Sequence, residues 1–168
     1  STLTITVTAV NDPPTVSSAT TAVSEEGLSG GIADAVGNPG DTTNLANATG
    51  SLSILDPDNT PTVSLVAPAI ALTSGGIAIV WSGGGAGTPL IGSAGSNEVI
   101  RATITTTGSY TVTLSRPIDH ASASGENVTA INIGVQATDG TNTVTGTLTV
   151  NIEDDSPTTG STSHRVYV

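Results

Sequence analysis

Carboxylates are the side chains of this sequence best placed to do chemistry, because they occur in tight groups. Seven of the 14 acids lie in three short clusters, which are Glu25-Glu26, Asp56 with Asp58, and Glu153-Asp154-Asp155. The chain has only 3 Arg, no Lys and a formal net charge of −11, so its own basic side chains cannot neutralise these clusters. Hard cations such as Ca²⁺ bind about six to eight oxygen ligands from carboxylates and carbonyls. The clusters therefore predict Ca²⁺ as a cofactor.

The same composition argues against several other partners and sites. Nucleic acids and anionic membranes attract clustered Lys and Arg, so neither is expected as a partner, and no apolar run is long enough for direct membrane insertion. Since the chain has no Cys, disulfides and thiolate metal sites are excluded. His120 and His164 are interpreted as surface residues, and Gly83–Gly87 lacks the Lys of a phosphate-binding loop. With no nucleophile and base in a recognisable arrangement, we expect no enzyme.

A repeated segment relates the acids to the organisation of the chain. Segment 4–15 recurs at 147–158, with an offset of 143 positions and six identical pairs among twelve. Each copy reads as a strand followed by polar or acidic residues and then proline, which stiffens an extended linker. A fixed internal period predicts tandem repeats. We expect the last strand and linker of a preceding repeat at 1–14, one full repeat at 15–157, and an outgoing linker or the start of the next repeat at 158–168.

Short segments with alternating polarity predict the strands that must position these acids. Apolar and polar residues alternate along 128–138 and 143–152, and along 98–105 and 109–115, which form a predicted hairpin. Further strands are predicted at 2–10, 15–23, 50–55, 62–66 and 77–81. Several short strands with turn sequences between them, and no long helical pattern, are typical of an all-β fold. We predict an antiparallel, immunoglobulin-like (cadherin-like) β-sandwich.

A sandwich of this kind would gather the acids at its two ends. The turn after an early strand and the last hairpin turn would meet the incoming linker at one end, and the outgoing linker would meet the remaining acids at the other. The alternative for each group is a solvated turn, because Asp-Pro-Asp-Asn and Asp-Gly are good turn sequences. The predicted ligands of the first junction are Asn11, Asp12, Asp56, Asp58 and Asp139, and those of the second are Glu25, Glu26, Asp119, Glu153, Asp154 and Asp155.

A series of motifs follows the chain in a fixed order. They are Val23-Ser24-Glu25-Glu26-Gly27, Gly50 to Asp58, Gly108 to Leu114, Gly125-Glu126-Asn127, Ala137-Thr138-Asp139-Gly140 and Glu153 to Pro157. Over residues 15–157 their order and spacing resemble the cadherin-like repeats of giant, RTX-type bacterial adhesins, and most closely the type I secretion target repeat of about 143 residues. That resemblance implies an extracellular location on the bacterial surface, Ca²⁺ between repeats, a monomeric chain, and neighbouring repeats of the same chain as partners.

Two functions are therefore expected from the sequence. The first is a calcium-rigidified structural extender of a surface adhesin, which projects a distal binding domain. The alternative is a module that binds carbohydrate or peptide with the long loop at 27–50 or the glycine-rich, flexible insertion at 83–97, around Trp81. An exposed Trp81 in a shallow groove would favour the alternative, whereas a buried one would count against it.

Overall fold

The fold consists almost entirely of short β-strands, seen in a computed structural model that describes residues 2–3, 5–6, 10–37, 41–121 and 127–155. The strands are β1 (Thr15–Val16), β2 (Ala19–Ser24), β3 (Asn47–Ser51), β4 (Ile54–Leu55), β5 (Thr62–Val66), β6 (Thr73–Ser74), β7 (Ile77–Gly83), β8 (Leu90–Ala94), β9 (Asn97–Ile104), β10 (Ser109–Leu114), β11 (Val128–Thr138) and β12 (Thr143–Glu153). A single 3-10 turn at Glu25–Gly27 is the only helical element in the described part of the chain. That part contains no helix long and apolar enough to cross a membrane.

The strands form two main sheets around one core. The larger sheet has the order β3-β10-β9-β8-β7-β6, the smaller has the order β2-β12-β11-β5, and β1 pairs with β4. Neighbouring strands are antiparallel except for β2 and β12, which run parallel. A single cluster of buried apolar residues includes side chains of both sheets. The predicted all-β, immunoglobulin-like sandwich is thus confirmed.

The long hairpin β11–β12 forms the centre of the smaller sheet. Its inward side chains are fully buried, among them Ile131, Ile133, Leu148 and Val150, and the register pairs Ile131 with Val150 and Ile133 with Leu148. Burying one such side chain contributes about 1.5–3 kcal/mol. The buried side chains are the apolar members of the alternation that predicted these two strands. The predicted hairpin of β9 and β10 is likewise confirmed.

The segment 83–97 is not the flexible insertion that its glycines suggested. Its residues Leu90 to Ala94 form β8, which lies between β7 and β9 in the larger sheet, with Leu90 only 2 % exposed. Gly84 has a φ of +83°, and its carbonyl accepts a 2.7 Å hydrogen bond from the Leu65 N–H. The glycines therefore make a close turn beside β5, which the composition alone did not distinguish from a mobile loop.

The predicted strands at 15–23 and 50–55 are each divided in two. β1 pairs with β4, after which the chain crosses at Ser17 and joins β12 as β2. Ser17 donates its N–H to the Ser53 carbonyl at 2.9 Å, and a Cβ on Gly146 would lie 2.3 Å from the Ser17 carbonyl oxygen. Only glycine allows this close crossing, so the first strand changes partners there.

The predicted strand at 2–10 is absent where the structure describes it. Residues 2–3, 5–6 and 10 are not in a strand, and Leu3, Ile5 and Val10 are 84, 76 and 76 % exposed. A strand needs a neighbour to satisfy its backbone N–H and carbonyl groups. No described strand pairs with these residues, so their alternating pattern has nothing to pack against.

Candidate metal sites

The incoming linker lies against two acidic turns at one end of the sandwich. Asn11 Nδ2 donates to Asp139 Oδ2 at 2.8 Å, and the Asp12 N–H donates to Asp58 Oδ2 at 2.8 Å. Asn59 Nδ2 also donates to Asn11 Oδ1 at 3.2 Å. Four residues predicted from the sequence for the first junction are thereby brought into direct contact.

The fifth of those residues, Asp56, organises the turn that carries Asp58. Asp56 Oδ1 accepts hydrogen bonds from the backbone N–H groups of Asp58 and Asn59, both at 2.9 Å. Its other oxygen, Oδ2, is buried and has no hydrogen-bond partner. A buried acceptor without a partner costs about 1–3 kcal/mol, so this oxygen is available to a cation or a water molecule.

Asp139 is held as an anion by the β11–β12 turn and by the linker. Its Oδ1 accepts the backbone N–H groups of Thr141 and Asn142, both at 2.6 Å. The Asn142 N–H, the Asn11 side chain and the Thr141 N–H lower the pKa of Asp139 from 3.8 to about 2. The carboxylate is therefore ionised at neutral pH. These bonds also fit the turn interpretation, since Asp139 closes the turn through one of its oxygens.

Compact groups of ligand atoms occur elsewhere, around the buried pair Glu25-Glu26. Among the described residues, Glu25, His120 and Asp154 form one group and Glu26, Asp34 and Asp41 form another, with the ligand atoms of each group within 4.8 Å of one another. Both Glu side chains are buried, because the 3-10 turn after β2 directs them inward. Ser24 caps this turn by accepting the Glu26 N–H at 3.1 Å.

The group around Glu25 contains a histidine that the sequence interpretation placed on the surface. That interpretation was wrong, because the His120 side chain is only 4 % exposed. Its Nε2 lies 3.0 Å from Glu25 Oε1, which also accepts the Ile118 N–H at 2.8 Å. The Thr129 hydroxyl lies 3.1 Å from the other ring nitrogen. His120 and Glu25 thus satisfy each other inside the domain. The second histidine, His164, lies outside the described residues.

The group around Glu26 contains two acids that were not predicted as ligands. Asp34 and Asp41 are isolated in a long polar loop, so their sequence carried none of the pairing that identified the other clusters. Asp41 is nevertheless 2 % exposed, while Asp34 is exposed. Sequence reasoning could have found them by treating every acid in the loop that follows Glu25-Glu26 as a possible partner of these two residues.

The acids at the end of β12 fasten this same loop. The Glu153 carboxylate accepts the N–H groups of Thr42 and Thr43, each at 3.1 Å, and the Thr42 hydroxyl. Asp155 Oδ1 accepts the Ile32 N–H at 2.7 Å. Glu153 and Asp155 therefore bind the loop of their own domain, whereas the Asp154 side chain joins Glu25 and His120.

Asp119 directs its side chain to a turn rather than to the acids with which it was grouped. Its two oxygens accept the N–H groups of Gly75 and Gly76, both at 2.8 Å, in the turn between β6 and β7. The Thr73 side chain, followed by these backbone groups, lowers the pKa of Asp119. Its observed contacts are those of a turn residue, and it belongs to neither compact group.

The two acidic regions lie at opposite ends of the β11–β12 hairpin. Asp139 is in the turn that joins these strands, whereas Glu153 pairs with Val128 at the far end. Eleven residues of strand separate the two ends by roughly 35 Å. The residues assigned to the first junction thus lie together at one end, and those of the second lie at the other, where both chain neighbours of Asp119 bond to Glu25.

Trp81 is partly buried and packs on the core beside Gly92, where a Cβ would lie 3.1 Å from the indole ring. A depression of about 550 Å³ is lined instead by Leu28, Ser29, Ser96, Asn97, Glu98, Ser115, Arg116 and Pro117.

Comparisons of the chain with protein-family models, with curated proteins and with solved structures found no match.

Proposed function

We propose that this chain is a calcium-rigidified spacer of a large bacterial surface adhesin, with a mechanical rather than a catalytic role. The observation that carries the proposal is the linker fastened to two separate turns. Asn11 contacts the β11–β12 turn, and Asp12 contacts the turn before β5. A linker held at two points loses much of its freedom to bend. The resemblance of the motifs to adhesin repeats supports the same role.

The chemistry of the linker end suits Ca²⁺. Asp56, Asp58, Asp139 and the side chains of Asn11 and Asp12 offer only oxygen ligands of the kind that Ca²⁺ prefers. When bound there, the ion would neutralise adjacent carboxylates and supply a partner for Asp56 Oδ2. Extracellular modules bind Ca²⁺ with dissociation constants of about 10⁻⁴–10⁻³ M. Free Ca²⁺ at about 100 times that constant adds about 2.7 kcal/mol of stability per site.

Removal of Ca²⁺ is expected to lower the melting temperature of the chain, since the bound ion stabilises only the folded state. A melting scan with Ca²⁺ and with chelator measures this difference. Asp56→Asn combined with Asp139→Asn should reduce it, whereas Glu98→Gln should not, because Glu98 pairs with Arg101 instead. An unchanged melting temperature in chelator would contradict the proposal.

Rigidity of the linker is the second expected consequence. The chain has no Cys, so spin labels can be placed selectively after Leu3→Cys and Val80→Cys, both at exposed positions. The distance distribution between the labels should narrow on addition of Ca²⁺, because the ion restrains the linker. The distribution should stay broad in the Asp56→Asn, Asp139→Asn background. Equal widths with and without Ca²⁺ in the parent chain would argue against a rigidifying role.

A second candidate function, binding of a carbohydrate or peptide, is favoured by one observation. The depression of about 550 Å³ lies where the start of the loop at 27–50 meets the end of the segment 83–97, around Leu28, Asn97 and Arg116. Arg116 donates to Asn97 Oδ1 at 3.1 Å, which leaves other guanidinium N–H groups for a ligand. If this function holds, a carbohydrate and peptide library should yield a ligand whose binding weakens after Arg116→Ala. Binding that is unaffected by this substitution would argue against this location.

A further inference from the structure

β2 and β12 are the only two neighbouring strands in the described part of the chain that run parallel. They pair over six residues, from Ala19 opposite Leu148 to Ser24 opposite Glu153. The other pairs of the smaller sheet, β12 with β11 and β11 with β5, are antiparallel. Both β2 and β12 therefore run from the linker end of the sandwich towards its far end.

The chain enters and leaves this strand pair at opposite ends. Asn11 and Asp12 hold the incoming linker to turns at the linker end, and the chain crosses into β2 at Ser17, beside Gly146 near the start of β12. β12 ends at Glu153, at the far end. Tension along the chain thus pulls β2 towards the linker end and β12 towards the far end, so the two strands are loaded in opposite directions along one axis.

A load in this direction, which is shear, acts on the whole ladder of hydrogen bonds at once. When two strands are pulled apart from one end, their hydrogen bonds break one after another, and each resists alone. In shear the strands cannot slide until the bonds break together. Since one hydrogen bond contributes only about 0.5–1.5 kcal/mol, breaking a set of them together requires a much higher force than breaking them singly.

β2 is the weaker partner in this pair, because it lies at the edge of the smaller sheet and pairs only with β12. β12 is also held on its other side, by eleven residue pairs with β11. The pairing of β1 with β4, which the chain meets before β2, covers only two residues. The resistance of the domain to tension is therefore set by the ladder between β2 and β12.

The Ser24 N–H shows which backbone groups of β2 belong to this ladder. It donates to the Leu45 carbonyl at 2.8 Å, and so points away from β12. Successive N–H groups of a strand point to opposite sides, so those of Thr21 and Val23 point to β12, whereas that of Thr20 points away. The Val23 side chain is fully buried, which shields this part of the ladder from water on the core side.

We propose that β2 and β12 form a shear clamp, a strand pair that keeps the domain folded while the chain is under tension. The inference rests on the proposed spacer function for the source of the tension, because a spacer between a cell and a distal binding domain carries any pull on that domain. The geometry of the clamp itself does not depend on Ca²⁺, since backbone hydrogen bonds form it.

Single-molecule pulling of the full chain in two geometries tests the clamp. Thr141→Cys provides an attachment point in the exposed turn between β11 and β12, in a chain that has no other Cys. When this variant is held by its two chain ends, β2 is loaded against β12 in shear. When it is held by its amino-terminal end and position 141, β2 is peeled from the start of β12 instead. The unfolding force should be severalfold higher in the first geometry, and equal forces would overturn the proposal.

Proline substitutions in β2 give the second readout. Thr21→Pro removes an N–H from the ladder, whereas Thr20→Pro is the matched control, because its N–H points away from β12 and an edge strand accepts proline there. The end-to-end unfolding force should fall in Thr21→Pro and stay near that of the parent in Thr20→Pro. A general loss of stability would lower the force by the same factor in both geometries, whereas loss of the clamp lowers mainly the end-to-end force. Equal end-to-end forces in the two variants would overturn the proposal.

Chelator distinguishes failure of the clamp from failure of the spacer function. Forced unfolding reports the unfolding rate along the pulled direction, whereas melting reports the effect of bound ions on stability. The difference between the two pulling geometries should remain in chelator. Melting that does not respond to Ca²⁺, with this difference retained, contradicts the spacer function and supports the clamp. Melting that responds to Ca²⁺, with equal forces in both geometries, overturns the clamp alone. If Thr21→Pro does not fold, the comparison of geometries in Thr141→Cys still decides.

Discussion

A carboxylate that leaves bulk water needs a new partner, and the acids of this chain find several kinds. Glu153 accepts backbone N–H groups of a loop, Glu25 is paired with a buried imidazole, and Asp139 is held by a turn and by the linker. Asp41 differs from them, because one of its oxygens is buried without a donor. The hydrogen bonds of each acid thus distinguish carboxylates that stabilise a turn or loop from carboxylates with an oxygen that is still without a donor.

Asp119 is the clearest case of a turn residue among the acids predicted as ligands. Since folding lowers the pKa of Asp119, its carboxylate stabilises the protein above the pKa of the unfolded chain, about 3.9, and this contribution disappears as the pH falls through the folded value. Asp119→Asn should therefore unfold at a lower urea concentration at neutral pH, with a difference from the parent that shrinks in acid. Its Ca²⁺ stoichiometry should equal that of the parent, and a lost ion would show that Asp119 is a ligand after all.

Among the elements, the glycine turn between β7 and β8 shows how the two sheets are connected. Gly84 lies beside Leu65 of β5, and its carbonyl accepts the Leu65 N–H, which links the larger sheet to the smaller one. A Cβ on Gly84 would lie 2.4 Å from the Leu65 carbonyl oxygen. The turn therefore depends on the absence of a side chain and on a positive φ together.

Gly84→Ala should lower the free energy of unfolding by about 1–3 kcal/mol, because it adds backbone strain at a φ of +83° and a clash with β5. Urea unfolding followed by Trp81 fluorescence measures the change. Gly85→Ala is the matched control, since its φ is not positive and its Cβ would meet only the Thr88 hydroxyl at 3.4 Å. Equal stability of the two variants would contradict the role given to Gly84.

At the scale of the whole molecule, charge is concentrated at the two ends of a neutral sandwich. The acids of the linker end and those of the loop end are separated by the length of the β11–β12 hairpin, whose inward residues are apolar. A net charge of −11 over 168 residues repels itself in the compact state. Cations at the two ends would reduce this repulsion where it is strongest.

Screening by monovalent salt gives a prediction at this scale. In chelator, an increase from about 10 mM to about 150 mM NaCl shortens the Debye length from about 30 Å to about 8 Å and should raise the melting temperature. In saturating Ca²⁺ the same increase should have a smaller effect if ions bind as proposed, because they would already neutralise the acids. A salt effect of the same size in both conditions would argue against cation binding at the acids.

Alternation alone determined much of the fold. The period of two along 128–138 and 143–152 predicted both strands, and their apolar positions are the ones buried, because one side of each strand must leave water. The same argument failed at Gly84 and at Ser17, where close backbone contacts between distant segments decide whether a glycine-rich or polar stretch is a turn, a crossing or a loop. Such contacts are not local in sequence, so periodicity does not contain them.

Spacing along the chain showed that the acids are clustered and predicted that they would meet at two ends of the domain. The folded structure was needed to show which of them have oxygens left for a ligand. In the structure Asp119 binds a turn, and Glu153 accepts hydrogen bonds from the loop that follows the 3-10 turn. His120 is buried against Glu25. Asp34 and Asp41, isolated in the sequence, lie beside Glu26. The physical reason is that burial and hydrogen-bond partners depend on segments far apart in the chain, whereas spacing records only near neighbours.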